Sequence, residues 1–368
     1  MEPSSASLTP LDELFLQRAY ELAARGIGTT SPNPPVGAVV VRDDRIVGEG
    51  YHHRAGGPHA ETFALEQAGG EARGATLYIS LEPCGHVGAT PPCADAVVAA
   101  GIARVVAGTL DPTEHGGAAL LRDAGVDFTV SNDVRARELI EAFALAAAST
   151  RPYVSLKMAM SLDGAVARRE GAEERLSSEE ERRYVRELRI AHDAVMVGAG
   201  TVRVDDPRLT VRPAHDRPRP YVRVVLCGRD GISRNSRILA SQEGYARTLV
   251  LAPGALAQTL DELRGVADVI AVGPPESERL DLARALRALR ERGIYSVLCE
   301  GGPTVAGRLV AERLVDRFYW AVAPRFLPSD GSVRVLRGLD APGGVALRFD
   351  RIERAGADVV LAGTFADV

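Results

Sequence analysis

ATLYISLEPCGHVGATPPCADAVVAAGIARVVAGTL, residues 75–110, decides the fold. Its ends, Ala75–Leu81 and Ala103–Leu110, are short apolar runs bounded by turn residues, and between them Cys93–Ala100 reads as a short helix closed by Gly101. A strand, a helix and a second strand in so short a span make a βαβ unit, which pairs its strands in parallel. Upstream, residues 11–26 read as a helix, Val36–Tyr51 as a hairpin turning at Asp43 and Asp44, and Ala60–Ala68 as a helix stopped by Gly69 and Gly70. Downstream, a further strand and helix run to Ala148.

Ser149-Thr150-Arg151-Pro152 interrupts that alanine-rich helix, and a new strand, YVSLKMAM (153–160), follows at once. Six more apolar runs, at 194–198, 221–227, 247–252, 268–273, 294–300 and 319–326, read as strands, and so does 357–365. Ser178 with Glu181 reads as a capping box. The expectation is α/β architecture with largely parallel sheets in two domains, 1–149 and 150–368.

Composition narrows the function. With 44 Lys+Arg against 49 Asp+Glu in 368 residues the net charge is −5, spread without a basic block, which gives no electrostatic footprint for nucleic acid or an anionic membrane. No run of about eighteen apolar residues could span a bilayer, and residues 1–10 lack a signal-peptide pattern, so a cytoplasmic enzyme of small molecules is expected. Four cysteines are too few for a disulfide framework and in that compartment stay reduced.

Thiolate chemistry then has an obvious place. His59-Ala60-Glu61 opens a helix after Pro58, Pro83-Cys84 lies at the carboxyl end of a strand, and Cys93 follows after eight intervening residues at another helix start. One imidazole and two thiolates suit Zn²⁺ and leave a tetrahedral position for water, which marks a catalytic site. The helix dipole at Cys93 favours its thiolate. Glu61 is not needed as a ligand; beside water whose pKa a metal lowers to about 7, it would pass a proton to departing ammonia. H-x-E followed by P-C and a second Cys is the zinc deaminase pattern, with a longer gap between the cysteines than the common P-C-x-x-C.

With PHAETFAL (58–65), LEPCGHVGATPPC (81–93) and SPNPPVGAVVV (31–41), the first half resembles the deaminase part of the bifunctional riboflavin-biosynthesis deaminase-reductases. LKMAMSLDG (156–164), DAVMVGAGTVRVDDPRLTVR (193–212) and CEGGPTVAGRLV (299–310) resemble its reductase part. The resemblance implies a cytidine-deaminase-like three-layer domain followed by a dihydrofolate-reductase-like domain, with Zn²⁺ in one and NADPH in the other. It implies two steps on a pyrimidine ribose phosphate: deamination of 2,5-diamino-6-ribosylamino-4(3H)-pyrimidinone 5′-phosphate, then reduction of the ribosyl group to ribityl.

By matching motifs, Asn33, His52, His86 and Asp111 would contact the deaminase substrate. Ala159, Thr201, Asp205, Gly301, Gly302 and Thr304 match cofactor positions, and the free N–H groups where a helix opens after Gly302 are suited to a phosphate. Arg189, Leu209, Arg212 and Glu300 match reductase substrate positions, guanidinium being apt for phosphate. Lys157, Asp163 and Asp206 would shape that site. A homo-oligomer is expected of such enzymes.

Five positions depart from the family. Ala89 stands where Arg or Lys is usual, Thr113 replaces Asn in a shortened loop, Glu173 and Arg175 replace Ser and Trp, and Cys227 replaces Asp. Arg175 could pair with a cofactor phosphate. These departures keep a second reading open, a divergent enzyme acting on a related pyrimidine in a secondary-metabolite pathway. A nucleic-acid deaminase would need a basic strand-binding surface. A purely structural zinc would need a fourth protein ligand, for which His86 is the local candidate.

Overall fold

The computed structural model describes residues 8–86, 91–211, 217–327 and 330–366. It divides into two compact units, Met1–Ser149 and Thr150–Val368.

The first unit carries strands β1 (Gly37–Arg42), β2 (Arg45–Tyr51), β3 (Thr76–Ile79), β4 (Arg104–Ala107) and β5 (Asp127–Val130) in the order β2-β1-β3-β4-β5. Its helices are α1 (Pro10–Ala24), α2 (Ala60–Ala68), α3 (Cys93–Ala99), α4 (Ala118–Asp123) and α5 (Val134–Ala148). Alternation along the strands sends side chains to opposite faces. Ala38, Val40, Leu77, Ile79 and Val105 pack against α2, α3 and α4, whereas Val39, Val41, Tyr78 and Val106 pack against α1 and α5. The result is three layers, helices on both faces of one sheet.

The expectation of a largely parallel sheet is corrected in this unit. β3, β4 and β5 are parallel, but β1 runs antiparallel to both β2 and β3. The β1–β2 reversal comes from the two-residue turn: Asp43 and Asp44 both have positive φ, 47° and 56°, the type I′ geometry that closes a tight hairpin.

The second unit is built on β6 (Tyr153–Ser161), β8 (Ala194–Gly198), β9 (Val222–Leu226), β10 (Thr248–Pro253), β11 (Ala267–Val272), β12 (Ser296–Cys299), β13 (Arg317–Ala323), β15 (Leu347–Ala355) and β16 (Asp358–Phe365). The sheet order is β11-β10-β9-β8-β12-β6-β13-β16-β15, parallel through β13 and antiparallel for the last two strands. A separate ribbon pairs β7 (Ala165–Ala167) with β14 (Val333–Arg334). Helices α6 (Glu179–Ala191), α7 (Ala199–Asp205), α8 (Gly254–Ala257), α9 (Leu282–Arg290) and α10 (Pro303–Ala311) complete it. One face of the sheet packs on α9 and α10 through Leu286, Leu289 and Leu309, and the other receives Val202 of α7 and Ala257 of α8.

One local expectation changes. Ser178 accepts from the Glu181 amide at 3.2 Å, but the return bond of a capping box is absent: the Ser178 N–H donates to Asp358 at 2.7 Å, and Glu181 instead pairs with Lys157 at 2.6 Å. A complete box sits at the start of α1, where Thr9 and Asp12 cap one another. Among the described residues no helix is long and apolar enough to cross a membrane.

Candidate active sites

In the first unit three segments converge. β3 delivers the stretch to Cys84, which bridges to Gly116. His59 is the N-cap residue of α2, in extended conformation with no capping bond of its own, so its ring is free to turn inward. Cys93 begins α3, and its N–H donates to Cys84 Sγ at 3.4 Å. His59 Nδ1 lies 3.2 Å from Cys93 Sγ and 3.7 Å from Cys84 Sγ, and the three ligand atoms fall within 4.8 Å of one another. His86 does not join them; its ring lies against His115, centroids 4.2 Å apart.

This donor set fits zinc in number, type and spacing. Hydrogen bonding from Cys93 and the neighbouring His59 hold the Cys84 thiol far below its ordinary value, and the same contact pushes Cys93 up. His59 is raised by its bond to Cys84. Glu61, in the first turn of α2, is 3% exposed, and its Oε2 has no hydrogen-bond partner among the described residues. Burial raises its pKa, the condition of a carboxyl able to take up and release a proton.

Asn33 and His52 are brought together. His52 Nδ1 meets the Pro58 carbonyl at 2.9 Å, so that nitrogen donates, and Nε2 is left to accept from Asn33 Nδ2 at 3.3 Å. Burial lowers the His52 pKa, which keeps the ring neutral for that role, and its edge meets the His59 ring at 5.4 Å. Asp111 is turned into its own loop: its Oδ1 accepts from the N–H and hydroxyl of Thr113 at 2.8 and 2.7 Å. Thr113 therefore has a structural task there. Ala89 lies outside the described residues.

Two residues here escaped the sequence reading. The buried Glu82 accepts from Ala118 N at 2.7 Å and Asp111 N at 3.0 Å, clamping both ends of the 111–117 loop. His115 rides on that loop, its carbonyl accepting from Gly85 N at 2.8 Å. The available signal was an acidic residue immediately before Pro83-Cys84.

In the second unit a cavity of about 780 Å³ opens along the carboxyl ends of the parallel strands, where ligands bind in open α/β sheets. Ala159, Thr201, Asp205, Glu300, Gly302 and Thr304 line it. Gly301 has φ +92°, and a Cβ there would meet Met158 Sδ at 2.9 Å; a Cβ on Gly302 would meet Thr201 Oγ1 at 2.9 Å. The positive φ at Gly301 favours glycine, and a side chain on Gly302 would have to displace the Thr201 hydroxyl where the chain turns into α10. The N-cap Gly302 makes no side-chain cap, which leaves the first-turn N–H groups of α10 for an anion.

Arg189 grips Glu300 through Nε and Nη2 at 2.6 and 2.8 Å and donates its third nitrogen to Thr210 O at 3.0 Å. Burial alone would push Glu300 up, but Arg189 outweighs it and holds the carboxyl below its ordinary value. Lys157, paired with Glu181, also lines the cavity. Asp163 accepts from Ser161 Oγ and Leu327 N, and Asp206 from Arg237 N, so both shape backbone.

Two expectations are revised. Arg175 is not at the cavity: its side chain is 87% exposed, with Glu173 no closer than 3.9 Å, because the residues between β7 and α6 carry it outward. The Leu209 side chain is packed in the apolar core, with φ +48°, and does not line the cavity. Arg212 lies outside the described residues. Cys227 does line the cavity, fully buried, with burial pushing its thiol up to about 12.

These observations define a class: a cytidine-deaminase-like unit with a His-Cys-Cys zinc set, joined to a dihydrofolate-reductase-like unit with a phosphate-ready helix start. The family models agree. Residues 9–109 match the cytidine and deoxycytidylate deaminase zinc-binding region, and residues 152–361 match the RibD C-terminal domain. The riboflavin biosynthesis protein RibD of Aquifex aeolicus is 38% identical, the match covering 95% of this chain and 98% of that protein, and its Escherichia coli counterpart gives the same figures. Acinetobacter baumannii RibD superposes with a TM-score of 0.82 at 33% identity over 97% of this chain and 99% of that one. A Thermotoga maritima deaminase/reductase superposes at 0.81 with 34% identity, covering 97% and 99%.

The chain belongs to the RibD family of bifunctional riboflavin-biosynthesis enzymes. It is a deaminase and a reductase, using Zn²⁺ and NADPH.

Proposed function

We propose that residues 1–149 deaminate 2,5-diamino-6-ribosylamino-4(3H)-pyrimidinone 5′-phosphate and that residues 150–368 then reduce the ribosyl group of the product to ribityl with NADPH. The observation that carries the first half is the buried Glu61 carboxyl, whose Oε2 has no partner among the described residues, beside the three gathered ligand atoms. Leaving that oxygen unsatisfied costs stability, and it is the oxygen free to take up a proton.

His59, Cys84 and Cys93 hold the metal, which when bound supplies an activated water at neutral pH. Glu61 holds and moves the proton, taking it up on its free oxygen and delivering it to the departing amine. The Asn33–His52 pair, fixed in one tautomer by the Pro58 carbonyl, presents an amide to the pyrimidine edge. His86 and Asp111 belong to the same pocket.

In the reductase cavity the first turn of α10, with Gly301, Gly302 and Thr304, receives the cofactor phosphates, while Ala159, Thr201 and Asp205 line its path. Arg189, through Glu300, orients the substrate end, and the backbone at Leu209 completes it. Positioning and exclusion of water carry most of the rate, since an open-chain imine accepts hydride directly. The enzyme works in the cytoplasm as a homo-oligomer.

The test is incubation with the diaminopyrimidine phosphate, with and without NADPH. Ammonia release without NADPH, then NADPH oxidation and a product carrying added hydrogen, is the expected result. Neither signal on this substrate, with both on an unphosphorylated or otherwise altered pyrimidine, would favour the divergent enzyme.

A further inference from the structure

A second cavity in the reductase unit lies at the opposite edge of the sheet from the cofactor cavity. Its residues sit just before or at the amino-terminal ends of strands: Asp193 before β8, Arg217 and Arg219 before β9, Arg247 before β10, Asp268 in β11, and Arg292 before β12. It measures about 170 Å³ and is floored by the buried Leu249 and Ile294. That is below the roughly 300 Å³ at which pockets for larger organic ligands begin. There is room for a phosphate group and not for a nucleotide.

The charges are not balanced internally. Asp193 Oδ2 already accepts from Tyr295 N at 2.8 Å and Ser296 N at 3.2 Å, and Asp268 pairs with Arg247 at 3.2 Å. Arg217, whose side chain is only 9% exposed, reaches Asp193 no closer than 3.9 Å. It donates its two terminal nitrogens to the carbonyls of Ile190 and His192 at 3.2 and 2.9 Å, which leaves Nε buried with no partner among the described residues. Arg219 repeats the pattern: one terminal nitrogen donates to the Gly293 carbonyl and the other, Nη1, is buried without a partner. Both guanidinium groups are held in place by rings, Arg217 over Tyr221 at 5.1 Å and Arg219 over Tyr295 at 5.7 Å.

A buried guanidinium N–H with no acceptor is costly, and two of the four arginines around this small hollow, Arg217 and Arg219, each carry one among the described residues. We propose that this hollow is an oxyanion site, taking a phosphate-class anion either free or as the terminal group of a small ester. The guanidinium groups of Arg217 and Arg219 supply N–H donors and countercharge to its oxygens, and Arg292 adds charge from the exposed rim. The anion would supply the countercharge that the committed aspartates cannot. It is separate from the cofactor cavity, which lies at the other ends of the same strands.

The experiment is equilibrium dialysis of the full chain, saturated with NADP⁺, against labelled inorganic phosphate at ionic strength balanced with chloride. Arg219→Gln is expected to weaken the phosphate bound here about tenfold, the effect of losing one charge-assisted contact. Arg292→Gln should weaken it less, and Asp268→Asn should tighten it by removing a rim carboxylate and releasing Arg247. Should Arg219→Gln fail to fold, the two exposed rim variants decide. Ribose 5-phosphate that displaces this phosphate identifies an ester as the occupant, and failure to displace it identifies the free anion. Isotherms that coincide for the wild type and all folded variants, or weaker binding in Asp268→Asn, would overturn the proposal.

Discussion

Arg189 holds both carboxylate oxygens of Glu300 at once, at 2.6 and 2.8 Å, with the remaining guanidinium nitrogen on the Thr210 carbonyl. Every nitrogen of this side chain is spent inside the protein, so its part in the reductase is to fix Glu300 at the cavity wall. Lysine keeps the charge but cannot make the fork. Arg189→Lys should lower NADPH oxidation at least about tenfold, a loss of some 1.4 kcal/mol in the barrier, and leave ammonia release unchanged. An unaltered reductase rate in a folded variant would remove Glu300 orientation from the account.

Glu61→Gln tests the deaminase chemistry with almost no change of shape. Its amide cannot accept and return a proton, so ammonia release should fall by about 10² to 10⁴. Metal content should stay near one Zn²⁺ per chain, since the ligand set excludes this residue. NADPH oxidation on already deaminated substrate should persist. Loss of metal together with activity would instead make Glu61 a support of the ligands.

The metal set was legible in the sequence because each member stands at a fixed place in a local motif: a helix start, a strand end, a helix start. Asn33 and His52 became legible only through the family resemblance, because neither belongs to the ligand motif and a tautomer-fixing carbonyl leaves no sequence pattern. Glu82 and His115 were missed for a related reason: their roles depend on a loop folding back onto Cys84, a contact between distant segments. Arg175 was misplaced because a motif position does not say which way an exposed loop turns a side chain. β15 was passed over because its burial is slight: arginines and acids along it suit an edge strand, and only its pairing with β16 makes it regular.

Acid should expose the network that braces α1 against the first sheet. Asp12 is 2% exposed and accepts from Arg104 at 2.8 Å, Tyr78 Oη at 2.7 Å and Thr9 N at 2.9 Å. Burial alone would raise its pKa, but these donors outweigh it and hold it well below the ordinary 3.8. A depressed folded value means that the stabilisation is present above the unfolded value and is lost as pH falls toward the folded one. Asp12→Asn should therefore cost about 2 to 3 kcal/mol near neutral pH, and urea melts of variant and wild type should draw together as pH falls below about 4. A gap that stays constant across that range would mean that shape, not charge, sustains the contact.

Gly116 faces the Glu82 carboxyl so closely that a Cβ would sit 2.4 Å from Oε1 and 2.6 Å from Cδ. Glu82 cannot swing aside cheaply, because its two oxygens hold the amides of Ala118 and Asp111. In Gly116→Ala either those bonds break or the 111–117 loop lifts from Cys84, and both routes cost roughly 1 to 3 kcal/mol. The loop also carries His115 to the His86 ring, so its displacement disturbs the mouth of the deaminase pocket while the ligand atoms of His59 and Cys93 remain on their helices. The expected result is a lower melting temperature and a raised KM for the diaminopyrimidine, with zinc retained and NADPH oxidation unaffected. A variant that melts and turns over like the wild type would show that the loop has room to give, and Glu82 would then be a buried acid without a clamping role.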